Sequence, residues 1–284
     1  MSDTHTSPPN LRVSLIQSEL VWHNPQANRQ HFNHLLAPLQ GQTDLVVLPE
    51  VFTSGFSMEP EQIAEPCTRT PDGLSAPTIT WMQEQAIRLN AALCGSVAMR
   101  IDEDGRQGCV NRLLFVTPDG QVQHYDKRHL FRMAGEHEHF LAGNQRLLVR
   151  FRGWDILPQV CYDLRFPVFS RNRNDYHLAL YVANWPAPRR HPWRTLLQAR
   201  AIENLCYTVG VNRVGTDSAE QSYSGDSMAV DFKGEILLDR AAGSAFVETA
   251  TFSMTELLAF REKFPAWQDA DDFTLHGLSA CLSD

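Results

Sequence analysis

The sequence predicts an α/β protein. Short runs of apolar, β-branched residues alternate with longer segments whose apolar positions recur every three or four residues. Three strand-like runs end in a group able to do chemistry: Leu45-Val46-Val47-Leu48-Pro49 in Glu50, the run through Tyr125-Asp126 in Lys127, and Asp155-Ile156-Leu157-Pro158-Gln159-Val160 in Cys161. Strand carboxyl ends are where open α/β sheets present catalytic side chains.

Taken in order, residues 11–17 read as a first strand. Asn24-Pro25 offers an N-cap and an N1 proline to a helix reaching about Leu39. The strand into Glu50 and the loop Phe52-Thr53-Ser54-Gly55-Phe56-Ser57-Met58 follow. A helix covers about 77–90, with Ile79, Met82, Ala86 and Leu89 on one face. Strands at 92–100 and 112–117 flank a hairpin through Asp104-Gly105, and Pro118-Asp119-Gly120 turns the chain into 122–126. After a long loop, 147–151 and 155–160 are strands joined across Arg152-Gly153-Trp154, and 178–183 ends at Asn184-Trp185-Pro186. A helix at 192–204 and strands at 206–211, 227–231, 235–238 and 245–251 complete the alternation. Ser253-Met254-Thr255-Glu256 has the capping-box pattern for a last helix ending near Phe264.

Composition narrows the class. The 284 residues are 43% hydrophobic and 20% charged, enough apolar content for one large core and no sign of disorder. A net charge of −8 opposes a nucleic-acid surface, which needs a basic stripe. No apolar run approaches the roughly 18 residues that span a bilayer, so no membrane partner is expected. The polar residues 1–10 read as a frayed tail without a signal-peptide core. The six cysteines are scattered without a C-x-x-C pair, as free thiols in a reducing cytoplasm would be. Cys94 and Cys206 sit in apolar runs and read as small core residues.

A carboxylate, an ammonium and a thiol make an acyl-transfer site that needs no histidine. A thiol attacks as thiolate, and Lys127 can favour that form with its positive field, then hold the oxyanion of a tetrahedral intermediate. The backbone N–H of Tyr162, next after the nucleophile, is the natural second oxyanion donor. Glu50 can take the thiol proton, pass it to departing ammonia and activate the water that cleaves the thioester. Eleven histidines raise a Cys-His or metal alternative. His137-Glu138-His139 lacks the i, i+4 spacing of a helical zinc pair, and no cysteine stands near to complete a ligand set, so no metal or cofactor is expected. A Cys-His dyad would leave Glu50 and Lys127 unexplained.

Leu48-Pro49-Glu50, Tyr125-Asp126-Lys127-Arg128-His129-Leu130 and Cys161-Tyr162-Asp163-Leu164-Arg165-Phe166-Pro167 occur in that order, followed by Asn184-Trp185-Pro186 and Gln198-Ala199-Arg200-Ala201-Ile202-Glu203-Asn204. On these motifs the chain resembles the nitrilase superfamily of carbon–nitrogen hydrolases, whose Glu-Lys-Cys triad they carry. The resemblance covers about residues 11–265 and implies a four-layer αββα sandwich. It leaves 266–284 as a C-terminal extension available to pack on a partner subunit, in a homodimer or higher homo-oligomer. It also implies a second glutamate beside the triad. Glu136 and Glu138 compete for that place, and the family spacing to Gly143 favours Glu136. One departure is Val168, where relatives often carry Glu.

Two basic clusters, 127–132 and 188–194, lie beside strand ends, and arginine clamps carboxylates bidentately, which points to a small anionic amide. Among the latter, Arg189, Arg190 and Arg194 flank Asn184-Trp185-Pro186. Phe52, Phe56, Phe131, Phe166 and Trp185 can wall an apolar pocket. Candidate substrate contacts are Phe52, Phe131, Arg165, Phe166, Trp185 and Arg189. Residues 50–56 and 182–189 resemble the ω-amidase branch, which implies hydrolysis of the terminal amide of short α-keto acids such as 2-oxoglutaramate and 2-oxosuccinamate. A nitrile or N-carbamoyl substrate would use the same triad, and a catalytically inactive binding module would have no need of it.

Overall fold

Alternation along each strand decides which face meets which layer. In the Leu11–Gln17 strand, Leu11, Val13 and Leu15 turn toward a second sheet, while Ile16 turns toward helices. The computed structural model describes residues 10–71, 73–103 and 105–277. Residues 1–9 of the expected tail and 278–284 of the extension lie outside these.

The first sheet runs in the order Phe246–Phe252, Leu11–Gln17, Leu45–Val47, Ala92–Glu103, Arg106–Val116, Val122–Asp126, with Glu65–Pro66 added beside Ala92–Glu103. The second runs Ile236–Leu238, Met228–Val230, Tyr207–Asn212, Leu178–Ala183, Trp154–Val160, Val149–Phe151. Leu11–Gln17, Leu45–Val47 and Ala92–Glu103 are mutually parallel, as are Trp154–Val160, Leu178–Ala183 and Tyr207–Asn212. Their carboxyl ends therefore gather at one end of each sheet.

Between the sheets, Leu15, Val47, Cys94 and Phe115 pack with Ile156, Val160, Leu180 and Val211. On the outer face of the first sheet, Val46, Leu93 and Leu114 pack with Phe32 and Leu36 of the Pro25–Leu36 helix and Ile79, Met82 and Leu89 of the Pro77–Leu89 helix. Trp193, Leu197 and Ala201 of the Arg190–Asn204 helix cover the second sheet. The result is the αββα order of layers. Each fully buried Val or Leu side chain contributes about 1.5–3 kcal/mol to this packing.

Local chemistry sets the boundaries. Asn24 caps the first long helix, its side chain accepting from the Ala27 N–H at 3.0 Å, and Ser253 does the same for Glu256 at 3.2 Å. The central hairpin is longer than its charged tips suggest, pairing from Leu93 with Val116 out to Glu103 with Arg106. A second hairpin, Val214–Thr216 with Ser222–Ser224, lies outside both sheets and was not expected. The described part of the C-terminal extension lies on its own chain, with Arg173 4.5 Å from the Phe273 ring and Arg128 bonded to the His276 and Gly277 carbonyls.

Candidate active site

Three strand ends converge from the two sheets. Glu50 follows the Leu45–Val47 strand, Lys127 follows Val122–Asp126, and Cys161 follows Trp154–Val160. All three are at most 9% exposed. Lys127 Nζ donates to Glu50 Oε1 at 2.9 Å and to both carboxylate oxygens of Glu136 at 2.9 Å. Glu136 also accepts from the Phe131 N–H at 2.5 Å. Of the two competing glutamates, then, Glu136 is buried against Lys127, whereas Glu138 has a side chain 69% exposed.

Glu50 is held on every side. Its Oε1 also accepts from Asn111 Nδ2 at 2.9 Å, and its Oε2 from the Asn184 N–H at 2.8 Å. Asn184 Nδ2 donates to the Glu50 carbonyl at 2.5 Å. None of this was read from the sequence, where Asn111 is one polar residue inside a strand and Asn184 only part of a recognised phrase.

Cys161 takes a left-handed backbone, φ +46, at the start of the 3-10 turn Cys161–Arg165. That conformation is disfavoured for a residue with a Cβ and persists only where neighbours enforce it. Asp163 is the enforcing group. Its buried carboxylate accepts from the Val160 N–H at 3.0 Å, the Tyr125 hydroxyl at 2.8 Å, and the His129 N–H and ring Nδ1 at 3.0 and 2.7 Å. One carboxylate thus joins the nucleophile's turn to both sides of Lys127. As second residue of the turn, Tyr162 has an N–H with no partner within the helix.

The electrostatics qualify one expectation. Burial opposes the Lys127 ammonium, but Glu136 and Glu50 outweigh it and raise its pKa. Burial first and Glu50 second push the Cys161 thiol well above its ordinary value, with Lys127 pulling the other way. Burial and Glu50 thus work against the lysine-stabilised thiolate that the sequence suggests. Burial, set against Lys127 and reinforced by Glu50, also raises Glu136.

A cavity of about 180 Å³ opens onto Glu50, Lys127 and Cys161. Phe56, Phe131, Arg165, Trp185 and Arg189 line it as expected, joined by Tyr162 and by Asp217, Gln221 and Tyr223 of the unexpected hairpin region. Arg165 lies 5.1 Å over the Trp185 ring and Arg189 5.2 Å over the Phe131 ring, and neither forms an ion pair among the described residues. Two expected wall residues are elsewhere. Phe52 is in the helix-side core, edge-on to Phe32 at 5.4 Å, because Val51 (φ +37) turns the chain and leaves Phe56 to reach the cavity. Phe166 stacks on His129 at 3.8 Å, behind the nucleophile's turn. Arg190 and Arg194 are spent on Asp226 and Asp239, at 2.5 to 3.1 Å.

Fold and site together define a hydrolase of the acyl-transfer type with a cysteine in reach of a carboxylate and an ammonium. Residues 12–261 match the family model for carbon-nitrogen hydrolases, and the chain belongs to that family. It is 52% identical over 267 residues to the omega-amidase YafV of Escherichia coli strain K12, covering 94% of this chain and 99% of that one. It is 28% identical to the 2-oxoglutaramate amidase of Bacillus subtilis strain 168, covering 90% and 96%. Among solved structures, the Xanthomonas campestris CN-hydrolase superfamily protein XC1258 matches with a TM-score of 0.87 and 48% identity, over 94% of this chain and 99% of that one. Nit3 of Saccharomyces cerevisiae shares the fold, with a TM-score of 0.81 at 21% identity over 93% and 97%.

Proposed function

We propose that this chain is an ω-amidase that hydrolyses the terminal amide of a short α-keto or dicarboxylic monoamide, of the 2-oxoglutaramate or 2-oxosuccinamate type. The observation that carries the reading is the pair of guanidinium groups, Arg165 and Arg189, free of carboxylate partners at an aromatic cavity whose other side is Glu50, Lys127 and Cys161. A buried substrate carboxylate needs such a partner. The names of the relatives at 52% and 28% identity support the same substrate class.

In the proposed mechanism Glu50 takes the thiol proton as Sγ bonds to the amide carbon. Lys127 and the Tyr162 N–H stabilise the resulting oxyanion. The proton passes from Glu50 to the amide nitrogen, the C–N bond breaks, and ammonia leaves a thioester on Cys161. Glu50 then deprotonates a water, which attacks the thioester and frees the acid and the thiol. Glu136 holds Lys127 in place through both half-reactions.

The test compares succinamate with butyramide. The carboxylated amide should have a kcat/KM at least about a hundredfold higher, because a site built around a charge is left unpaired by a neutral analogue. Arg165→Ala and Arg189→Ala should erode that preference through the carboxylated substrate alone. Equal rates for the two amides in the unaltered enzyme would remove the ω-amidase reading, and a preference for a nitrile would favour the alternative chemistry.

The five free cysteines among the described residues suit a reducing cytoplasm. Exposed Val168, Ile202, Ile236 and Phe264 give a homodimer apolar surface to bury. Sedimentation equilibrium that finds only monomer at micromolar concentration would reject the dimer.

A further inference from the structure

We propose that Asn111 is a positioning residue that sets the pH at which Glu50 becomes a competent base, an inference that rests on the reading of Glu50 as the proton acceptor. Asn111 belongs to the Arg106–Val116 strand and shares its face with Leu113 and Phe115, whose side chains are in the core between the sheets. It is only 1% exposed. A primary amide there costs free energy unless its polar atoms are matched. Only one end is matched. Nδ2 donates to Glu50 Oε1 at 2.9 Å, while the buried Oδ1 has no partner. Self-satisfaction therefore does not explain the residue. Turned over, the amide would set Oδ1 against a carboxylate oxygen, acceptor against acceptor, so Glu50 fixes its orientation. The Asn111 carbonyl meanwhile accepts from the Lys127 N–H at 2.9 Å. The same residue touches the base through its side chain and anchors the ammonium-bearing residue through its backbone.

The chemical consequence follows from what a donor does to a carboxylate. A hydrogen bond to the charged form stabilises it and weakens it as a base. Three donors bear on the Glu50 carboxylate: Lys127 Nζ, Asn111 Nδ2 and the Asn184 N–H. The titratable groups facing it are Lys127 from the end of the first sheet, Glu136 from the short Glu136–His139 helix, Cys161 from the second sheet and Tyr223 from the outlying hairpin. Glu136 brings a second carboxylate to Lys127, and Lys127 stands between the two. Asn111 is the neutral member of this set that supplies a side-chain donor. It keeps the carboxylate charged to lower pH without adding a charge that would bind the thiolate or the oxyanion.

The experiment measures kcat/KM for succinamate against pH in the unaltered enzyme, Asn111→Leu and Glu50→Gln. The rate of Cys161 alkylation by iodoacetamide is followed against pH in the same proteins without substrate. Asn111→Leu should move the acid limb of both profiles up by about one pH unit, since it removes one donor to the charged form. Asn111→Ala, which preserves the backbone bond to Lys127, should give the same displacement and serves if the leucine variant does not fold. A uniform loss at every pH with the limb unmoved would overturn the inference and make Asn111 merely structural. Glu50→Gln separates the two claims. Loss of the limb in that variant, with the limb unmoved in the Asn111 variants, defeats the Asn111 proposal alone. Persistence of the limb in Glu50→Gln defeats the base assignment and the inference with it.

Discussion

At the scale of single residues, the site shows which roles a sequence can announce. Glu50, Lys127, Cys161 and Glu136 were legible because each ends a strand or follows one in a recognisable phrase. Phe52 and Phe56 were not separable, since both are aromatic and the same loop carries them. The backbone decides between them, through positive φ at Val51 and at Gly55. The contest between Glu136 and Glu138 is decided by contacts and yields a prediction. Glu136→Ala removes the carboxylate that meets Lys127 through both oxygens and leaves a buried ammonium with Glu50 as its remaining carboxylate. Breaking one side of a buried pair costs about 3–5 kcal/mol. The variant should lose at least about a hundredfold in kcat, because the oxyanion donor is no longer held in place. Glu138→Ala removes a solvated side chain and should stay within about threefold, since surface changes of this kind are worth about 0.5 kcal/mol. Steady-state kinetics on the two proteins check this, and equal, mild effects would remove the supporting role of Glu136.

At the scale of elements, the regular strands and the four longer helices were legible from periodicity, and the Pro25–Leu36 and Met254–Lys263 helices also from their Asn24 and Ser253 caps. The shorter pieces were not. The Pro60–Ile63, Glu136–His139 and Pro167–Ser170 turns of helix are four residues each, too short for an apolar stripe to repeat. The Val214–Thr216 and Ser222–Ser224 hairpin escaped because Asp217, Ser218 and Glu220 read as loop. Its register is pinned by a buried tyrosine instead. Tyr223 packs under Arg213 at 4.6 Å and donates to Asp217 at 2.9 Å. That pinning brings Asp217, Gln221 and Tyr223 to the cavity, so the least legible element supplies one wall of the substrate site. The same limit applies to Asp163, which joins its own neighbour Val160 to Tyr125 of the first sheet and His129 of the loop beyond it, more than thirty residues earlier in the chain.

The whole molecule carries its titratable groups in a way that fixes its response to acid. Burial lowers His31, helped by His34, and lowers His124 and His177, helped by Arg112 and Arg261. For Asp44, Asp126 and Asp226 burial opposes ionisation, and contacts from Arg12, Arg112 and Arg190 more than offset it, so their values also fall. In every case the folded group binds its proton less readily than the unfolded one. Such groups add stability above their unfolded values, and that stability is lost as pH falls through the folded values. The histidines should begin to cost stability below about pH 6.5 and the aspartates below about pH 4. Differential scanning calorimetry from pH 8 to about pH 2 should therefore show Tm falling in two stages, the first below about pH 6.5 and the second below about pH 4. A Tm that is flat or rising below about pH 6.5 would contradict the lowered values of these half-buried histidines. No helix among the described residues is long and apolar enough to cross a membrane, and no group of three or more His, Cys, Asp or Glu side chains among them could hold a metal ion.

The parentage of the three central groups has a temporal meaning. Glu50 and Lys127 grow from one sheet and Cys161 from the other, while Phe246–Phe252, near the far end of the chain, pairs with Leu11–Gln17 at its beginning. A ribosome has therefore made the chain through Phe252 before the final edge of the first sheet can form. Until the sheets close on one another, the thiol has neither Glu50 nor Lys127 beside it. The cluster is a property of the closed pair of sheets, and neither sheet holds it alone.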